Sequence, residues 1–405
     1  MSCGPVCETT PHPAPAGLWN ILGDEGFRLF FPLGAAYAAL WPFLWVLAFG
    51  FDLPLAREVP PSLWHANEML VGAFGAALAG FLTTAAPEWT DTAPIKGRNL
   101  WLLAALWGTG RAVGLFGWDG LGALGALADL AWMTALLLYL LQLSWQQRTD
   151  RLLAFAAWLA ILLGCVLAAR AGFWEGNTGL ASRALNLAGL AFLGLLGLAL
   201  SRITVPVTNL VLDPSEKTSP FRPHPGRLNL APGLVLVAMV GEIAGLSPAV
   251  SGFLMIAAGA AFVDRVAEAF IGRAAFRSEI LMLAGSSALA GAGLMLAGAA
   301  RLGAPWPEIT GLHLAFLGGL GLGVYAVFCI AGKLHTGQPL GQAFSVRIGA
   351  LCVGLSAFLR IAPDFGFDLP GPHLGMAVVF WSAAFLLWLR NFWPMLSRID
   401  RAGGD

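Results

Sequence analysis

Long apolar runs, separated by short polar segments, recur along the whole chain. Twelve of them approach the roughly 20 residues that a helix needs to cross a bilayer. They lie at 29–51, 66–86, 99–117, 121–143, 152–170, 180–201, 229–247, 249–264, 279–300, 309–332, 347–362 and 374–395. The eighth run is the weakest of the twelve, because Asp264, Arg265 and Glu268 interrupt its end.

The apolar runs favour helices over strands. They lack the alternation of apolar and polar positions that strands show, and a bilayer admits only helices or closed barrels. The pattern therefore predicts an all-α, polytopic integral membrane protein with about twelve transmembrane helices.

The composition agrees with this prediction. Of the 405 residues, 58% are hydrophobic and 11% are charged, whereas a soluble protein carries about 25% charged residues. So few charges cannot cover a surface that faces water, and the lipid bilayer is the expected partner. The formal net charge is zero, so nothing in the charge indicates that the protein binds nucleic acid.

The distribution of basic residues predicts the orientation. If the N-terminus is cytoplasmic, sixteen of the 23 lysines and arginines lie in inner segments, five in outer segments and two within spans. This bias follows the positive-inside rule and predicts that both termini are cytoplasmic. Residues 1–28 would form an N-terminal tail without a signal peptide, 29–395 a membrane domain with a cytoplasmic loop at 202–228, and 396–405 a C-terminal tail.

The six histidines separate by this topology. His65, His313 and His373 are expected at the outer side, His335 and His224 at the inner side, and His12 in the N-terminal tail. A neutral imidazole is a common protein ligand for metal ions and haem. His313 and His335 are about 33 Å apart along one helix, so they cannot bind the same iron or copper.

His65 and His313 are the histidines most suited to bind a cofactor. His65 precedes Glu68 by three residues, which places both on one helical face and allows a carboxylate to lie near a ligand. Alternatively, Trp64 and His65 simply anchor a helix end among lipid headgroups. His313 lies within an apolar span, where a lone histidine needs a partner. His373 is expected to be structural, and His224 and His12 to be solvated.

Charged residues inside the spans are the other candidates, since such groups are costly and usually functional. They are Glu68, Arg111, Asp129, Glu242 and Asp264. Arg111 could pair with Glu68 or Glu242, or bind a haem propionate. A structural ion pair between helices is an equally good explanation. Asp129 has no obvious partner in the sequence.

Other sequence motifs give weaker indications. Cys3 and Cys7, with His12, have a spacing that only weakly suggests a metal site, and a reduced tail explains them better. The chain contains neither an ATP-binding P-loop nor a dinucleotide-binding fingerprint. A primary ATP-driven pump is therefore not expected.

Several segments of the sequence resemble the NnrS family of nitric-oxide-responsive bacterial membrane proteins. They are WHANEM with AGFLTTAAPEWT, SRITVPVTN at 201–209, LHLAFLGGLGLGVYAVFCIAGKLHTGQPL at 312–340 and, weakly, NFWPMLSRIDRAGG. The positions that match are Trp64, His65, Glu68, Met69, Arg202, His313, His335, Thr336 and Gly337.

The resemblance implies an inner-membrane protein that contains haem and copper, is made by denitrifying bacteria and relieves nitrosative stress, with nitric oxide as its ligand. Applied to the matching positions, it indicates a cofactor site at His65, His313 and Glu68, with His335 as a further metal ligand; Arg111 joins this predicted site through its charge, as a candidate partner of a haem propionate. Asn67 stands where the family has a second histidine, and the ninth span lacks another family histidine. This comparison therefore predicts that one metal site is altered or lost, because asparagine is a poor ligand for copper or haem iron.

Three functions remain open at this point. The first is a haem protein of nitric oxide metabolism or defence. The second is a secondary transporter of a metal ion or small anion, in which Glu68, Arg111, Asp129 and Glu242 couple transport. The third is a structural or assembly subunit that docks through HTGQPL. The sequence leaves open whether the protein is an enzyme.

Overall fold

The computed structural model describes residues 17–398. After a short helix at Leu18–Leu22, this part of the chain forms twelve longer helices and no strand. They are α1 (Gly26–Ala48), α2 (Pro61–Thr90), α3 (Arg98–Gly114), α4 (Asp119–Gln146), α5 (Leu153–Trp174), α6 (Thr178–Leu212), α7 (Pro225–Ile243), α8 (Pro248–Ala269), α9 (Ser278–Arg301), α10 (Glu308–Leu334), α11 (Phe344–Phe365) and α12 (His373–Leu396).

These helices correspond one to one with the twelve predicted spans. Within the described residues, eleven are long and apolar enough to cross a membrane. The remaining one, α3, has 17 residues and ends at Gly114, because the chain turns at Gly117, whose φ is 62°. The prediction of an all-α, polytopic membrane protein is confirmed, while the cytoplasmic location of the termini stays a prediction.

Several helix ends differ from the predicted ones, those of α6 and α7 among them. Helix α6 continues from the predicted end at 201 to Leu212, so Arg202 lies in the helix and not in a loop. It stops where Asp213 accepts hydrogen bonds from the side chains of Ser215 and Thr218, which lower the pKa of Asp213 to about 2. Helix α7 stops at Ile243, four residues before its predicted end.

Three helices form the centre of the bundle. The buried share of the most apolar stretch is 94% in α2, 83% in α6 and 72% in α10, against 61% or less in the other eight spans assessed. Helices that are neighbours in the sequence pack against each other around these three, and α12 packs against α1. Side chains on α2, α6 and α10 therefore have the protein, and not lipid, as their surroundings.

Arg28 connects the two ends of the membrane domain. It is buried near the start of α1, and its Nη1 donates hydrogen bonds to the carbonyl oxygens of Met395, Leu396 and Arg398, at 3.2, 3.1 and 3.0 Å. The last carbonyls of a helix have no partner within it, and they attract a cation. Arg28 therefore closes the seam between α1 and α12.

Glycines allow α8 and α9 to approach closely. A Cβ atom on Gly298 would meet the carbonyl oxygen of Gly252, and one on Gly259 would meet the carbonyl oxygen of Gly291. Small residues at such contacts let the backbones of membrane helices pack tightly.

The first prediction concerns this contact. Gly298→Ala should reduce the free energy of unfolding by about 1–3 kcal/mol, because the added methyl group overpacks the interface. Thermal unfolding of the purified protein in detergent measures the effect. Gly164→Ala, in α5, is the matched control, since a Cβ there meets nothing within 4 Å. Equal thermal unfolding midpoints for Gly298→Ala and Gly164→Ala would contradict this close contact between α8 and α9.

Candidate functional site

His65 and His313 occupy equivalent positions on two central helices. His65 lies in the α-helical start of α2, which changes to a π-helix at Glu68–Phe74. His313 is the last residue before the π-helix Leu314–Leu320 in α10. Turns of π-helix are rare and occur frequently at functional sites.

The two imidazoles belong to one cluster. His313 and Arg360 lie in the electrostatic surroundings of His65, and Arg360 and Asp364 lie in those of His313. Asp364 is held by the Thr310 hydroxyl, which donates a hydrogen bond of 2.6 Å. The structure thus brings together His65 and His313, which are 248 positions apart in the sequence (313 minus 65).

The His65 ring has an unused nitrogen. It stacks on Trp45, with 3.9 Å between the ring centroids and 14° between the ring planes. Its Nδ1 atom is buried and has no hydrogen-bond partner, and the same is true of Trp45 Nε1. A buried nitrogen without a partner is costly unless another group binds it.

His313 is fixed in the form that leaves one nitrogen free to bind a ligand. Its Nδ1 lies 2.9 Å from the carbonyl oxygen of Ile309. A carbonyl oxygen only accepts hydrogen bonds, so Nδ1 carries the proton and the lone pair is on Nε2. Histidines that bind metals commonly donate their other ring N–H to such a carbonyl.

Glu68 lies one turn below His65 but does not hold its ring. The carboxylate accepts hydrogen bonds from Tyr37 Oη at 2.5 Å, Asn67 Nδ2 at 2.8 Å and Arg111 Nη1 at 2.8 Å. Glu68 and Asn67 are both fully buried. Asn67, which stands in place of the family's second histidine, is thus committed to this carboxylate.

Arg111 extends the same network to Asp129. Its Nη2 donates to Asp129 Oδ1 at 2.6 Å, and Arg170 binds the other oxygen of Asp129. Together with Glu68 this gives two acids and two bases, all buried. The network joins α1 to α5, and both terminal nitrogens of Arg111 bind carboxylates. The predicted cofactor roles of Glu68 and Arg111 remain predictions.

Arg111 pairs with Glu68, which was one of the two partners that the sequence allowed. Three other features of this region differ from the sequence expectations. Asp129, for which the sequence offered no partner, binds Arg111 and Arg170, while Glu242 binds Arg301 and lies outside the network. Trp64 does not anchor among headgroups: it is buried, and its Nε1 donates to Asp119 Oδ1 at 3.1 Å.

Arg170 is the member of this network that the sequence analysis missed, because the sequence pattern places it in an outer segment, at the end of its predicted span. The signal in the sequence was that α2 to α4 contain two acids, Glu68 and Asp129, and only one base, Arg111, so that a second base was required. The apolar run also continues after Arg170, and α5 ends only at Trp174.

The other histidines lie apart from this cluster. His335, at the opposite end of α10, has its Nδ1 3.1 Å from Glu88 Oε1. His224 is exposed and accepts a hydrogen bond from the backbone N–H of Gly226, and His373 begins α12. His12, Cys3 and Cys7 lie outside the described residues. Between residues 17 and 398, no group of three or more His, Cys, Asp or Glu side chains is arranged to hold a metal ion.

The second prediction concerns the buried network. Arg170→Met should reduce the free energy of unfolding by about 3–5 kcal/mol, because it leaves an uncompensated buried charge. Adding Asp129→Asn should recover part of this loss, since the remaining Glu68 and Arg111 balance each other. Thermal unfolding in detergent measures both. Arg183→Met, on the exposed face of α6, is the control. A double variant less stable than Arg170→Met would contradict the role of charge balance.

Comparison with known proteins places the chain in a family. None of the curated proteins compared with the chain matches it. The family described as NnrS protein matches residues 21–399, nearly the whole chain. The matched region contains both histidines and the buried network. The chain therefore belongs to the NnrS family.

Proposed function

We propose that the protein is a haem-binding protein of the bacterial inner membrane that acts in nitric oxide metabolism or nitrosative-stress defence. Family membership supports a membrane protein related to the nitric oxide response. The observation that carries the haem proposal is the pair of imidazoles, each with an uncommitted nitrogen, in one cluster.

The donor set fits a haem iron. Neutral imidazole is a usual protein ligand of haem iron, and His313 presents Nε2 while Ile309 fixes its tautomer. His65 would be the second ligand, and its buried Nδ1 would gain a partner on binding. A bound haem would supply an iron, and nitric oxide would bind that iron in place of one of the two imidazoles. Copper, which the family resemblance implies, stays a prediction.

The protein's own residues orient the ligands and exclude water. Trp45 covers one face of the His65 ring, so the imidazole cannot turn freely. One turn further, the buried network fixes the rotation of α2 against α1 and α3. Rigid support of this kind holds ligands in position before the cofactor arrives.

No observation favours the alternative of a secondary transporter. Its four proposed coupling groups do not form one site, since Glu242 pairs with Arg301. The other three bind one another, and they also bind Arg170, Tyr37 and Asn67. A transported ion would have to displace several of these bonds.

The third prediction tests haem binding. Protein purified in detergent from cells supplied with haem should show a Soret band, which His65→Ala and His313→Ala should each reduce to about a tenth or less, because loss even of a supporting partner costs about tenfold in affinity. Absorption spectra normalised to protein concentration measure it.

His373→Ala is the matched control, since His373 lies on α12 outside the cluster, and it should keep the band. A colourless wild-type preparation would overturn the proposal. So would a full Soret band in the His65→Ala, His313→Ala double variant.

A further inference from the structure

A second candidate site lies at the opposite end of α2 and α10 from His65 and His313. It is a cavity of about 160 Å³ between α1, α2, α6 and α10, and we name it the far-end cavity. Its walls are apolar, with Phe31, Phe81, Val327, Ile330 and Leu334 among the lining residues.

Polar groups gather at one side of the far-end cavity. His335 Nδ1 lies 3.1 Å from Glu88 Oε1, and the side chains are 19% and 56% exposed, so the pair stands at an opening. The Arg202 guanidinium lies over the Trp89 ring, 5.9 Å from its centroid. All four residues line the cavity.

Three sequence segments that lie outside the proposed haem site meet here. Glu88 and Trp89 come from AGFLTTAAPEWT, Arg202 from SRITVPVTN, and His335 from HTGQPL. They lie on three different helices, and none of them belongs to the histidine cluster or to the buried ion network. Their convergence on one cavity indicates a binding function that the haem proposal does not use.

The size and shape of the cavity select the ligand. An apolar cavity of roughly 150 Å³ is known to hold one benzene ring, and the far-end cavity is of that size. Phe81 and Val327 also line a smaller apolar cavity of about 60 Å³, which continues toward the middle of the helices. A six-membered ring with an apolar substituent therefore matches the space.

The polar side of the cavity selects oxygen atoms on that ring. Glu88 accepts from His335 Nδ1, so Nδ1 carries a proton and Nε2 is left for a ligand. A neutral imidazole accepts from a hydroxyl at Nε2, and a protonated one donates to a carbonyl.

We propose that the far-end cavity binds the ring of a lipid-soluble quinone or quinol, with a ring oxygen on His335 and the ring among Phe31, Phe81 and Val327. This site does not depend on haem at His65 and His313. The two proposals can therefore fail separately.

The experiment is a calorimetric titration of the full-length protein in detergent with duroquinone. Durene, a ring of the same shape without oxygens, is the matched ligand. We expect saturable binding of duroquinone. His335→Ala should weaken it about tenfold, as the loss of a hydrogen bond predicts, and should leave durene binding unchanged.

A second variant keeps the test valid if His335→Ala folds poorly. Ala331→Phe should fill the cavity and abolish binding of both rings, since Ala331 lines it. Ala160→Phe, on the exposed face of α5, is the control and should bind like the wild type. Elution volume and thermal midpoint verify the fold of each variant.

Three results would overturn the proposal. One is the failure of folded wild-type protein to bind duroquinone, and another is unchanged binding by both cavity variants. The third is displacement of duroquinone by phosphatidylglycerol that depends on Arg202 and not on His335, which would make this a lipid-headgroup site. A Soret band that persists through any of these results would leave the haem proposal intact.

Discussion

The constraint on which this structure depends is that a charge in the interior of a membrane protein must be balanced. Glu68 and Asp129 are fully buried; Arg111 binds one oxygen of each carboxylate, and Arg170 binds the second oxygen of Asp129. Since these four residues come from four helices, their pairing fixes how α2 to α5 rotate against one another. The position of His65 at the start of α2 follows from this arrangement.

The hydrophobic pattern was sufficient to predict the helices, because a bilayer requires long apolar helices and leaves few alternatives. It could not locate every end. The end of α6 was wrong because Arg202 and Pro206 resemble a loop in sequence, yet the helix continues through both, with Arg202 over Trp89 and Pro206 beside the far-end cavity. Neighbouring helices supply what the sequence of one helix lacks.

The candidate site was predictable only in part. The pairing of Arg111 with Glu68 followed from charge, and the common end of His65 and His313 followed from topology. The second partner of Arg111, the stacking of Trp45 on His65 and the pairing of His335 with Glu88 did not follow. Each depends on how two helices rotate against each other, which no pattern within one helix encodes.

The π-helical segments have a consequence for how the two central helices tolerate change. A π-helix bonds each N–H one residue further back than an α-helix does, so it accommodates an additional residue in the same length. Removing one residue from Glu68–Phe74 would let that segment return to α-helical geometry with little rotation of His65 relative to the lower half of α2, because the wider turn already absorbs the additional residue. The same holds for Leu314–Leu320 and His313. Single deletions there would remove the wide turns beside the imidazoles without shortening either span below the bilayer thickness, whereas a deletion elsewhere in these helices would turn one half of the helix by about 100° against the other.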